Sequence, residues 1–364
     1  MKFVDEFRDA GAIRQTAAQI RRLAASGRHY RLMEVCGGHT HAIYRFGLKD
    51  LLPENVEMIH GPGCPVCVLP MGRIDDGLAI AAGGDIIFAA FGDMMRVPGA
   101  QGSPLQHKAR GVDIRIVYSP MDALKLAEAN PARHVMFFAI GFETTAPSTA
   151  LTLLRAREMG IANFSVFSNH VTIIPAIRAI LDSPDIRIDA FVGPGHVSSV
   201  IGCRPYLPIA RDEGKPVAIS GFEPLDLLQS IAMALRQLND GREEVENQYT
   251  RVVRWEGNAA ALGVMDQVFE SRPAFEWRGL GTIAHSALRI RREFAAWDAE
   301  QRFAVPGLRV LEPEAAQCGD VLRGVRKPPQ CRLFGNECTP ERPVGALMVS
   351  SEGACAAYHK YQQV

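Results

Sequence analysis

The chain has 364 residues, of which 47% are hydrophobic and 22% charged, with 40 Lys plus Arg against 40 Asp plus Glu. That length suggests two or three domains around a large buried core, and the charge balance argues against a protein built to coat nucleic acid or an anionic membrane. The N-terminal "MKFVDEFRDAGAIRQ" does not read as a signal peptide, and no stretch approaches the ~18 uninterrupted apolar residues of a membrane span. The expected location is therefore the cytoplasm, where eight cysteines point to metal binding or redox chemistry rather than to a disulfide framework.

An amphipathic helical start, from Phe3 to about Ala25, opens the chain. Short apolar runs follow: "YRLMEV", "VEMIH", "DIIFAAF", "DIRIVY", "HVMFFAI", "NFSVFS", "DAFVG" and "PVAIS". Most are too apolar to alternate, as expected of strands covered on both faces. Segments with helical spacing separate them, such as "PMDALKLAEAN" and "APSTALTLLRAREMG". Alternating strand and helix predicts parallel sheets, one or two of them. The runs end in CGGHTH at Cys36, GPGCPVC at Gly61, FGD at Phe91, GFETTAP at Gly141, SNH at Ser168, GPGH at Gly193 and SGFEP at Ser220. Loops after parallel strands gather at the carboxyl edge, where ligands bind.

A faint internal echo aligns "IIFAAFGDMMRVPG" with "VMFFAIGFETTAPS", and "GPGC" with "GPGH". Two related lobes facing each other would explain it, as would chance. Past Glu223 the rhythm stops. "PLDLLQSIAMALRQLNDG", "NAAALGVMDQVFE" and "SALRIRREFAAWDAEQRF" read as helices, and a Pro-, Gly-, Arg- and Cys-rich tail runs from about Leu311.

The tail holds Cys318, Cys331, Cys338 and Cys355, spaced C-x12-C-x6-C-x16-C. Four thiolates in a segment with little periodicity suggest a zinc site or an iron–sulfur cluster, whose bonds would supply folding energy. Zinc modules usually pair ligands through short knuckles and none occurs here, which tips the balance slightly to the cluster. Cys64 and Cys67 form C-P-V-C after a strand, the spacing of a redox dithiol. Cys36, with His39 and His41, fits a soft metal-binding corner or a nucleophile with its base; Gly37 and Gly38 would let the backbone approach a ligand closely. Glu143, Thr144 and Thr145 fit an anion site at a helix start, and ordinary capping fits them equally. His170 and His196 fit bases, ligands or core residues, and Cys203 reads as structural. No standard nucleotide motif appears.

Taken together, CGGHTH, GPGCPVC, GFETTAP, SNH, GPGHVS and the four tail cysteines, spread from Cys36 to Cys355, resemble the HypD family, accessory factors of [NiFe] hydrogenases. The resemblance implies two related parallel-sheet α/β lobes plus a mostly helical or irregular C-terminal domain. The expected division is a helical segment 1–30 packed on the C-terminal domain, lobes over 31–130 and 131–222, and a cysteine-bearing domain over 223–364. It further implies a [4Fe-4S] cluster on Cys318, Cys331, Cys338 and Cys355, a thiol pair at Cys64 and Cys67, and iron bound at Cys36. His39, His41 and Glu143 are the other expected site residues. A small HypC-like partner and a HypE-like cyanide donor would take part in assembling an Fe(CN)2CO unit for the hydrogenase large subunit. Two other functions fit the same residues: a cluster-dependent thiol–disulfide reductase of a protein substrate, and a non-enzymatic iron-carrying scaffold.

Overall fold

Each of the eight apolar runs forms a strand in the computed structural model, which describes residues 4–25, 27–184, 186–310 and 315–361. They are β1 (Tyr30–Glu34), β2 (Val56–His60), β3 (Ile86–Ala90), β4 (Ile114–Ile116), β5 (His134–Gly141), β6 (Phe164–His170), β7 (Ala190–Pro194) and β8 (Val217–Ser220). A short β9 (Val245–Asn247) joins them, and β10 (Phe269–Trp277) and β11 (Gly281–Ile290) form an antiparallel hairpin. Phe3 and Leu311, the expected starts of the first helix and of the tail, lie outside the described residues.

Two parallel sheets result. One has the order β2-β1-β7-β8-β9 and the other β4-β3-β5-β6. The strands therefore do not follow the expected lobes 31–130 and 131–222. The chain lays down β1 and β2, crosses to build the whole second sheet, then returns beside β1. The echoes also fall within single sheets: β3 and β5 are neighbours, and GPGC and GPGH end the two strands that flank β1. Strand–Gly–helix corners look alike wherever a parallel strand ends, so the likeness marks a shared local geometry and not two copies of a lobe.

Strand periodicity divides the cores. Leu32, Ala190, Val192 and Ala218 point to one face of the first sheet, under the helix Pro224–Asp240. Met33, Phe191, Val217 and Ile219 point to the other. In the second sheet Ile87, Ala89, Val135 and Phe137 face outward helices, while Phe88, Met136 and Phe138 join Phe191 and Ile219 in one central core. That core also contains Cys64, Cys67, Cys318, Cys338 and Cys355. The first helix, Ala10–Leu23, packs against Pro224–Asp240. That partner lies in the 223–364 region, covers the first sheet and is not part of the cysteine tail.

The main departure from the sequence reading is "SALRIRREFAAWDAEQRF". Its first five residues end β11, and a 3-10 turn (Arg292–Trp297) and a short helix (Ala299–Arg302) follow. The hairpin register shifts between Arg272 and Ala274, and His285 opposite adopts φ 53°. This bulge changes which side chains face inward, so the buried residues Ile283, Ala287 and Ile290 fall at spacings of four and three. A bulged strand thus imitates the helical period. Pro273 sits at the irregularity, where a missing ladder donor does least harm.

The left-handed backbone at His285 costs an L-residue about 1–2 kcal/mol. His285→Val should lower stability by roughly that amount, because a β-branched side chain tolerates positive φ poorly, while His285→Gly should be neutral or slightly stabilising. Urea denaturation of the two variants checks the ordering.

Candidate functional site

The carboxyl edges of the two sheets face each other across a cleft of about 400 Å3. One wall carries Cys36, Gly63, Pro65 and His196, the other Phe91, Asp93, Phe142, Thr144 and Thr145, and Glu352 reaches in from the tail. Loops up to about 160 residues apart in sequence thus meet, as the parallel-sheet rule requires.

Cys36 caps the helix Gly37–Arg45 directly after β1. The GPGCPVC loop clamps this corner: Gly37 N–H donates to the Gly63 carbonyl at 3.1 Å, and Gly61 N–H to the Glu34 carbonyl at 2.8 Å. A Cβ on Gly63 would lie 2.4 Å from Cys36 Cα, so only glycine allows the approach. Glu34, fully buried, accepts from the Cys36 N–H at 2.9 Å, contacts His60 Nδ1 at 2.7 Å, and takes the Thr40 hydroxyl as well. A buried carboxylate needs such partners. Burial, reinforced by the carboxylates of Glu352 and Glu34, pushes the Cys36 thiol up to about 12.

Cys64 and Cys67 are joined by a disulfide, with Cys64 capping the short helix Pro65–Val68. Both are nearly inaccessible, at 4% and 0% exposure. The helix contacts the turn Ala346–Met348, and Leu347 and Met348 of that turn wall a second cavity lined by Cys318, Cys331, Cys338 and Cys355. The disulfide therefore lies between Cys36 and the tail cysteines.

Local turns deliver the four tail thiols. Cys318 opens a helix (Cys318–Leu322), Cys331 ends a 3-10 turn (Pro328–Gln330), Cys338 closes a tight loop through its N–H to the Leu333 carbonyl, and Cys355 lies in the helix Ala354–Tyr361. Burial raises the Cys355 thiol, and the other three cysteines raise it further. Gly345 leaves room for the group: its N–H lies 3.5 Å from Cys338 Sγ, and a Cβ there would meet Cys318 Sγ at 2.3 Å. Among the described residues no three His, Cys, Asp or Glu side chains are arranged as a single-ion site. Four thiols spread around an apolar cavity fit a polynuclear thiolate-bound centre in donor chemistry and in number.

The other expected residues separate. His39 lies in the first turn of the Cys36 helix but turns away, with Nε2 at 3.2 Å from the Ser220 carbonyl. A carbonyl only accepts, so Nε2 carries the proton, and burial lowers the ring to about 4. His41 faces the tail helix, edge-on to Tyr361. Glu143 is not in the cleft. It accepts from the Ile173 N–H at 3.0 Å, at the start of the helix Ile173–Leu181 and not of the helix Ala146–Glu158 that follows its own loop, and burial raises it to about 7. SNH lies inside β6, not on a loop, and His170 bonds the Thr149 hydroxyl at 3.0 Å within the core. Cys203 is fully buried.

Comparisons with known proteins give the family of the chain. A family model, HypD, described as "Hydrogenase formation hypA family", matches residues 11–362. The chain is 54% identical to hydrogenase maturation factor HypD of Escherichia coli K12, over 100% of this chain and 99% of that protein. It is 56% identical to HypD2 of Bradyrhizobium diazoefficiens and 54% identical to hydrogenase expression/formation protein HupD of Azotobacter chroococcum, in each case over 99% of this chain and 97% of the relative. The chain belongs to the HypD family.

In this HypD chain, sequence reasoning missed Glu34 and Glu352 and left His196 without a role. Glu34 had a visible signal, a carboxylate inside an apolar run, since a buried charge must be paired. Glu352 had none, because it comes from the irregular tail and packs on Gly37, where a Cβ would lie 2.4 Å from its own.

The raised thiol has a direct consequence. Cys36 stays protonated at neutral pH in the metal-free protein, and only the thiolate alkylates. Iodoacetamide labelling of Cys36, read by peptide mass spectrometry, should be much slower at pH 7 than for a free cysteine peptide. It should still be climbing at pH 10, past the range where an ordinary thiol has levelled off.

Proposed function

We propose that this protein is the scaffold on which, with a small HypC-like partner, the Fe(CN)2CO unit of a [NiFe] hydrogenase is assembled before transfer to the large subunit. The supporting observation is the clamp of one redox-capable loop on another: Gly63, next to Cys64, presses on the backbone of Cys36. A thiol suited to soft iron and a reducible pair thus share one rigid corner at the mouth of a cleft wide enough for a partner's contribution. The cyanide ligands would come from a HypE-like donor, and the complex would work in the cytoplasm.

In this reading Cys36 gives up its thiol proton and holds iron through sulfur. Glu34 fixes the Cys36 backbone, and the clamp excludes water from one side. Cys64 and Cys67 take up two electrons and two protons when their disulfide opens, and return them when it closes. A [4Fe-4S] cluster on Cys318, Cys331, Cys338 and Cys355 would supply electrons one at a time. The near-complete burial of Cys64 and Cys67 counts against a reductase of protein disulfides, which needs its attacking sulfur accessible.

Anaerobically purified protein should be brown, with about four irons per chain as a cubane requires. Gly345→Ala should lower that iron content by displacing Cys318 Sγ, while the circular dichroism stays near wild type. Stoichiometric zinc after reconstitution with both metals present would refute the cluster assignment.

Co-purification with the partner should yield infrared bands of iron-bound cyanide and carbonyl. Cys36→Ala should abolish those bands and leave the brown colour. Bands at full intensity in that variant would place the iron elsewhere.

A further inference from the structure

Of the three histidines in the CGGHTH and GPGH motifs, His39 is bonded to the Ser220 carbonyl and His41 faces Tyr361. His196 instead turns Nδ1 toward Cys36 Sγ at 3.9 Å, and both residues line the cleft. That separation is too long for a strong hydrogen bond. It is close to what one shared ion imposes. With metal–sulfur and metal–nitrogen bonds of about 2.3 and 2.1 Å, angles from octahedral to tetrahedral set the two atoms about 3.1–3.6 Å apart. A small side-chain rotation closes the difference.

The ring is held for this purpose. His196 stacks on Phe222 with centroids 3.7 Å apart and planes 20° from parallel. Phe222 in turn occupies the space beside Gly38, where a Cβ would lie 2.9 Å from its ring and 3.4 Å from that of His196. The glycine pair thus has two separate duties: Gly37 admits Glu352, and Gly38 admits the aromatic stack that aims His196. A residue in the first turn of the helix Gly195–Ile201, directly after β7, is brought to the sulfur by a contact that the Cys36 helix leaves room for.

We propose that His196 Nδ1 is the second protein ligand to the iron cargo, beside Cys36 Sγ. This rests on the reading that Cys36 holds that iron. Ligation is not a redox step: the Cys36 S–H bond is replaced by sulfur–iron, its proton passes to solvent, and His196 donates the Nδ1 lone pair with its proton on Nε2. The positions left on the iron face the cleft, where diatomic ligands and a partner's donor enter.

The test uses Co2+ as a stand-in for Fe2+. It is added anaerobically to the full chain with its tail cysteines reconstituted with iron and sulfide and its Cys64–Cys67 disulfide closed. X-ray absorption at the cobalt edge then reads only the new site. Wild type should show one sulfur and the outer-shell scattering of an imidazole. His196→Gln should keep the sulfur, lose the imidazole and bind Co2+ more weakly, by at least the about 10–100-fold that loss of an outer-shell partner already costs. His39→Gln should keep both signals. Sulfur without imidazole in wild type, or imidazole persisting in His196→Gln, overturns the proposal and leaves the Cys36 reading intact. Absence of sulfur in wild type, or its persistence in Cys36→Ala, overturns both. The wild-type spectrum decides even if a variant fails to fold.

Discussion

The contact between Gly63 and the Cys36–Gly37 backbone organises the site. It joins the loops after β1 and β2 at a separation that no side chain would permit. Because those strands pair in register from Tyr30 with Val56 to Glu34 with His60, the two loops start level, and the Gly37 N–H and Gly63 carbonyl meet without further adjustment. The position of the disulfide relative to Cys36 is therefore set by backbone, which moves less than side chains do.

Electrostatics works against the resting thiolate. Burial raises Cys36 most, Glu352 and Glu34 add to it, Asp93 acts in the same direction on Glu352, and no cation is among the groups that shift Cys36. The two carboxylates that add to burial in keeping the sulfur protonated would favour a divalent cation in the proton's place, since a metal would supply the positive charge that the corner lacks. Glu352 sits three residues before Cys355, so the order of the tail and the charge at Cys36 are tied to each other through one short segment.

The path of the chain explains why two sheets act as one body. The second sheet is built entirely between β2 and β7, two strands that flank β1. The inner faces of both sheets then share a core in which Phe138, Phe191, Cys67 and Cys355 all take part. Separating the sheets would expose that core, which ranks with the larger costs in folding. The shared core therefore opposes separation of the two walls of the cleft.

Much of this was legible in the sequence. The eight strands, their parallel arrangement and the collection of CGGHTH, GPGCPVC and GPGH at one edge follow from short apolar runs, six of the eight stopping within two residues of a glycine, separated by segments of helical spacing, a local rule each segment obeys by itself. So does the Pro224–Asp240 helix, which stops at Gly241 in the left-handed region. Which strands share a sheet was not legible, because an apolar strand pairs equally well with any other and only the folded chain selects the neighbour. The β10–β11 hairpin was hidden by a bulge that imitates helical spacing. Tertiary structure also sorted the site residues: His39, His41 and Glu143 carry the right chemistry, but Ser220, Tyr361 and the Ile173 N–H engage them. His196 and Glu352, remote in sequence, reach the cleft instead. A sequence specifies which donors are present, whereas their direction depends on contacts made by loops that meet only once both sheets have closed.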